Sequence, residues 1–212
     1  MNQRKPVVLV LHGPSGVGKD SVIDRLRASG VRWPDQPRTA PEKLPLAGLT
    51  FVITGTLETI SAEFPDKKFV IIDSVVDKPN VESVVFKEHE GSFLVGMAAA
   101  LASKTGKVGF VGGMDIPLIR NFASGYEQGV KYVDPNAQVI VNYAGTTPAA
   151  WNDPARGGEL AIGQFGQGAD VVYAAAGATG LGVLQAAADK GKFSIGVDSN
   201  QNHLHPGQVL TS

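Results

Sequence analysis

Residues 13–19 read GPSGVGK, a G-x-x-x-x-G-K string set between an apolar run at 6–11 and a helix expected over 21–28. In a strand–loop–helix setting this pattern is a P-loop. Its glycines let successive backbone N–H groups turn inward onto phosphate oxygens, the helix N-terminus adds positive potential, and the lysine adds a full charge. Gly13, Gly16, Gly18, Lys19, Asp20 and Ser21 are thus the candidate phosphate-binding residues, for ATP or GTP with magnesium. One position departs from the pattern. A hydroxyl residue normally follows the lysine and holds magnesium, whereas here Asp20 stands there and Ser21 comes one place late. A Gly-rich turn that only joins strand to helix is the competing reading, and the residues leave both open.

Other chemical strings are weaker. Gly177, Gly180 and Gly182 are spaced G-x-x-G-x-G, with Asp198 about one strand later, but Gln185 stands where a dinucleotide fingerprint needs Gly or Ala. His203 and His205 form H-x-H without a third ligand in view, which reads as a solvated pair rather than a metal site. No serine sits in a G-x-S-x-G elbow, and no carboxylate pair has an identifiable acid–base partner. No catalytic residue is assigned.

The elements that must position these groups repeat from residue 107 onward. KVGFVGGMDIPLIRNF (107–122) predicts a buried strand, a tight turn at Gly112 and Gly113, and an amphipathic helix. Strands over 139–143, 171–176 and 193–197 alternate with helices over 157–167 and 182–190, and a further strand begins at 208–211. Apolar strands too continuous to have a wet face, alternating with helices, imply a three-layer α/β fold with a parallel sheet covered on both sides. Ligands in such sheets sit beyond the carboxyl ends of the strands, which directs attention to 112–115, 143–146, 177–179 and 198–200. Upstream, 31–48 holds four prolines and no periodicity, and reads as a linker or irregular loop. Strands at 51–53 and 70–72, with a helix over 58–64, can join the 6–11 strand in one small parallel sheet.

Composition limits the function classes. The chain has 212 residues, 43% of them hydrophobic, enough for one large α/β domain or two small ones. A net charge of -1 supplies no basic face for nucleic acid or an anionic membrane. Zero cysteines exclude disulfides, thiolate metal sites and a lipid-modified cysteine. No apolar run approaches the ~20 residues of a membrane span, and the VVLVL run is too short for a signal-peptide core. The chain as written is therefore expected to be cytoplasmic.

Three stretches carry family resemblances. GPSGVGKD, within 6–27, resembles the start of guanylate-kinase-like nucleotide kinases, some of which carry Asp after the lysine. LAGLTFVITGTL (46–57) resembles the opening of the BRCT module of bacterial DNA ligases, although a plain strand, Gly turn and helix is the favoured reading. From residue 60 the likeness is far denser. PDKKFVIID, VVFKEHEGSFLVG, KTGKVGFVGGMDIPLIRNF, GADVVYAAAGATGLGV and IGVDSNQN resemble the BMP family of solute-binding proteins. These are the purine-nucleoside receptors of bacterial ABC importers, extracytoplasmic proteins whose two type I periplasmic-binding lobes close on the ligand. The resemblance implies ribose-binding carboxylates at Asp73 and Asp198, backbone contacts from the Ala174–Gly180 turn with Gly177 and Thr179 as its ligand-binding residues, and a stacking ring at Tyr173. Competing readings are turn capping for each Asp and burial by strand alternation for Tyr173.

The resemblance also implies departures. A P-loop unit (6–30) and the proline-rich segment (31–48) stand where a first lobe should begin, and the chain stops at LTS where family members cross back. The expected organisation is a truncated, mosaic first lobe over 1–105, its last part a βαβ over 49–105, followed by a second lobe over 106–212. The first expectation is non-catalytic purine-nucleoside binding, with importer membrane subunits as partners, no nucleic acid and no membrane insertion. A P-loop nucleotide kinase and an engineered or chimeric scaffold without ligand are the alternatives. The P-loop reading has its own test: magnesium-dependent ATP or GTP binding, measured by calorimetry, is lost in Lys19→Ala.

Overall fold

Among the described residues every strand pairing is parallel, as apolar runs separated by helices require. The structure, a computed structural model, describes residues 7–9 and 57–212. The phosphate-binding candidates from Gly13 to Ser21, the 31–48 segment and the strand expected over 51–53 lie outside the described residues. Contacts divide the chain into two units, and the described residues fall into 7–9 with 57–86 and into 87–212.

The first unit contains β1 (Val7–Leu9), α1 (Leu57–Glu63), β2 (Lys68–Ile72) and β3 (Val81–Val84), with the strands in the order β1-β2-β3. Val7–Leu9, within the strand expected at 6–11, thus pairs with β2, Val8 opposite Phe69. Leu57, Phe69 and Ile71 form its core, with Val76 and Val81 packed against them. Asn80 closes the end of α1. Its Nδ2 lies 3.0 Å from the Ser61 carbonyl and 3.2 Å from that of Phe64, two of the orphan acceptors every helix end leaves.

The second unit runs α2 (Glu88–Ala102), β4 (Lys107–Met114), α3 (Pro117–Val133), β5 (Gln138–Gly145), a 3-10 turn (Pro148–Trp151), α4 (Pro154–Gly166), β6 (Val171–Ala175), α5 (Thr179–Asp189) and β7 (Phe193–Ile195). Its sheet has the order β5-β4-β6-β7. Side chains alternate across it. Val108, Phe110, Val171 and Tyr173 meet α2 and α3 on one face, while Val111, Val172 and Ala174 meet α4 and α5 on the other. Proline at the first turn starts α3 and α4, and Asp153 caps α4 by accepting from the Arg156 N–H. The strand expected at 208–211 is reduced to a single parallel bridge, Ser194 to Val209.

The turn expected at Gly112 and Gly113 is a correction. Both lie inside β4, Gly112 pairing with Tyr143 of β5 and Ala175 of β6, and the chain leaves the strand only after Met114. The glycines serve close approach rather than a turn. A methyl group at 112 would crowd Ile119 and Tyr143, and one at 113 would overlap the Trp151 ring.

Helices α2 and α3 meet backbone to backbone. A methyl group on Gly96 would overlap the Tyr126 carbonyl, and one on Gly129 the Phe93 carbonyl. Gly129→Ala should therefore lower the unfolding free energy by about 1–3 kcal/mol. Gly163→Ala, mid-helix in α4 with nothing within 4 Å of the added methyl, should raise it by about 0.5–1 kcal/mol. Urea unfolding of both variants checks the contrast; equal effects would refute the close approach.

Candidate functional site

The register aligns the carboxyl ends of β4, β5, β6 and β7 along one edge of the second unit's sheet. Asp115, the Pro148–Trp151 turn, the 177–179 loop and Asp198 follow those four ends. The places singled out by strand-end reasoning are thus gathered on one rim, as parallel sheets built from βαβ units require.

Asp198 is exposed and has φ 67, in the left-handed region. Beside it is a polar cavity of about 370 Å³ lined by Asp198, Ser199, Asn200, Asn202, Thr211 and Ser212. The segment after β7 is braced there. Gln201 Oε1 accepts from the Val197 N–H at 3.0 Å, and the Gln201 N–H donates to Ser212 Oγ at 3.0 Å. In the first unit Asp73 follows β2, is exposed, and has φ 63. Its N–H donates to the Val84 carbonyl at 2.9 Å. Among the described residues, Asp73 and Asp198 are the non-glycine residues with positive φ.

Two other candidates are committed elsewhere. Tyr173 is 4% exposed, and its ring packs edge-on to Phe110 at 5.6 Å and tilted to Tyr126 at 5.3 Å. Burial pushes its phenol far above the ordinary range. A ring so enclosed is a core ring, so the stacking role is withdrawn in favour of strand alternation. Thr179 is fully buried, donating from Oγ1 to the Ala150 carbonyl at 2.8 Å and accepting from the Asp153 N–H at 2.7 Å. Its hydroxyl holds protein rather than ligand. Gly177 is buried with φ 57, a turn conformation that a Cβ would strain.

Sequence reasoning missed Trp151. The 3-10 turn lays this half-buried ring on the bare backbone of Gly113, at the end of β4. The available signal was an aromatic side chain in a polar, proline-bearing connection directly after a strand. Asp115 was inside a flagged segment, but its partner was not foreseen. Arg120 grips it with Nε and a terminal nitrogen at 2.6 and 3.0 Å. His203 Nδ1 lies 3.1 Å from the Asn200 carbonyl, and among the described residues no group of three His, Asp or Glu is arranged to hold a metal.

The family model described as Bmp, ABC transporter substrate-binding protein PnrA-like, matches residues 46–212. The chain belongs to the Bmp family. The match takes in 46–57, the stretch also read against the BRCT module. Similar proteins include the ABC transporter nucleoside-binding protein BmpA of Lactococcus lactis, 39% identical over 75% of this chain and 47% of that protein. Basic membrane protein D of Borreliella burgdorferi is 36% identical over 78% and 49%. The chain thus spans about half the length of the curated relatives it matches. A solute-binding protein of an ABC transporter system from Aeropyrum pernix K1 superposes with TM-score 0.75 at 26% identity, covering 97% of this chain and 66% of that one. A transcriptional activator of the comK gene from Bacillus halodurans shares the fold, with TM-score 0.68 at 21% identity over 96% and 75%. The α/β fold with parallel sheets is that of periplasmic solute-binding proteins.

The Arg120 guanidinium, hydrogen-bonded to Asp115, holds that carboxyl below the usual carboxylate range. A lowered folded-state value means the pair contributes at neutral pH and is lost as pH falls through that value. In Arg120→Met, the Asp115 carboxyl ¹³C titration should move up toward the ordinary carboxylate range. An unchanged titration would mean that another group sets it.

Proposed function

We propose that the chain recognises a purine nucleoside without performing chemistry on it, as a ligand-binding part of an ABC-importer solute receptor. The observation that carries this reading is the left-handed backbone of Asp73 and Asp198, each exposed at the end of a strand. An L-residue gives up about 1–2 kcal/mol there, and such strained positions cluster at ligand clamps. Aspartate tolerates the conformation better than most, so local turn geometry accounts for part of the choice of residue. A carboxylate so placed accepts from both vicinal hydroxyls of a ribose. The Trp151 face suits a base, and the backbone around Gly177 at the start of α5 suits polar groups of the ligand. The Lactococcus relative named for nucleoside binding supports the ligand class.

In this reading the partners are the importer's membrane subunits and the protein works outside the cytoplasmic membrane, in place of the cytoplasmic expectation. Among the described residues no helix is long and apolar enough to cross a membrane.

Calorimetry with adenosine, guanosine and inosine tests the proposal, supported by thermal unfolding. At a hundred times its Kd a ligand should add about 2.7 kcal/mol of stability. Asp198→Asn keeps a residue that tolerates the left-handed backbone and removes the charge. It should weaken nucleoside binding by about ten- to a hundredfold. Trp151→Ala should weaken all three nucleosides. A folded parent protein that binds none of them would sink the reading.

A further inference from the structure

We infer that Thr179 is a positioning residue for this site, its buried hydroxyl locking the Pro148–Trp151 turn to the loop after β6. The inference rests on the nucleoside reading for its functional consequence. Thr179 Oγ1 donates to the Ala150 carbonyl and accepts from the Asp153 N–H, so one hydroxyl engages residues on both sides of Trp151. The flanking backbones leave no slack. A methyl group on Gly157 would overlap the Thr179 carbonyl, and one on Gly182 the Pro154 carbonyl. Ala150 and Thr179 are both buried, at 6% and 0% exposure, so water cannot readily replace the hydrogen bond between them. On its other side the Trp151 ring is stopped by Gly113. The turn therefore has one seat, and Thr179 joins it to the Gly177 loop. The base-facing ring and the backbone groups of that loop move as one body. Supporting residues of this kind decide whether a site is tight or loose by fractions of an ångström.

The test uses the full chain in a Trp33→Phe background, which leaves Trp151 as the single tryptophan. Thr179→Val removes the hydroxyl at nearly constant volume, and Thr179→Ser retains it. Without ligand, Trp151 emission should shift to the red and become more accessible to acrylamide in Thr179→Val, while Thr179→Ser stays close to the parent. Adenosine affinity should fall by about tenfold in Thr179→Val and recover in Thr179→Ser. A lower melting temperature with unchanged quenching and unchanged Kd would mean Thr179 only stabilises, and would overturn the inference. Amide hydrogen exchange on the unsubstituted chain gives a second way to overturn the inference if Thr179→Val fails to fold. The Asp153 N–H should exchange slowly although its residue is exposed. Fast exchange overturns the inference. If the parent binds no nucleoside, the ligand reading falls, while quenching in Thr179→Val against Thr179→Ser still decides whether Thr179 positions the turn.

Discussion

The second unit depends on how closely its neighbours approach the backbone of β4. Gly109, Gly112 and Gly113 lack the side chains that would hold them off, and a different element occupies each space. The Gln164 side chain lies on Gly109, Ile119 and Tyr143 crowd Gly112, and Trp151 lies on Gly113. Gln164 is fully buried, and its Nε2 lies 2.9 Å from both the Phe110 carbonyl and Asn142 Oδ1. It thereby ties α4 to β4 and β5. A strand of β-branched residues would have paired as well, but it would have pushed α4 and the Trp151 turn outward. Dense packing tolerates little such displacement.

The two ends of this sheet are built for different tasks. At the amino end, buried Asp170 accepts from Ser103 Oγ at 2.6 Å and from the N–H groups of Lys104 and Thr105 at 2.7 and 3.1 Å. A carboxylate with several donors is a strong local anchor. At the carboxyl end the charged groups Asp115 and Asp198 are exposed, and Asp198 adopts a conformation that costs free energy. A carboxylate with these three donors in place lies just before β6, and the left-handed Asp198 lies beyond β7. That division suits a fold whose ligands lie beyond its strand ends.

Much of the scaffold was legible in the residues. The apolar runs behind β4, β5, β6 and β7 are continuous and separated by helical stretches, so their type and parallel pairing followed from local pattern. The Asp-Pro pair at 153–154 marks the start of α4 by cap chemistry alone, although the expected helix began at 157. The reading of Gly112 and Gly113 as a turn failed for a physical reason. Glycine signals either freedom of φ or absence of a side chain, and only neighbours distant in sequence reveal which is used.

The amino-acid order by itself marked β2, β4, β5, β6 and β7 and the helices α1, α3, α4 and α5, though not β3 or α2, and it put residue 198 just beyond a strand end. Those are properties of short windows. The tertiary structure alone decided what the nearby side chains do. It turned Tyr173 into the aromatic core, spent the Thr179 hydroxyl on residues 26 and 29 positions away, and set Trp151 against β4. Each of these outcomes depends on which face of a strand is covered and which loops meet across the sheet. Such contacts join residues far apart in the chain, and no local pattern of residue types specifies them.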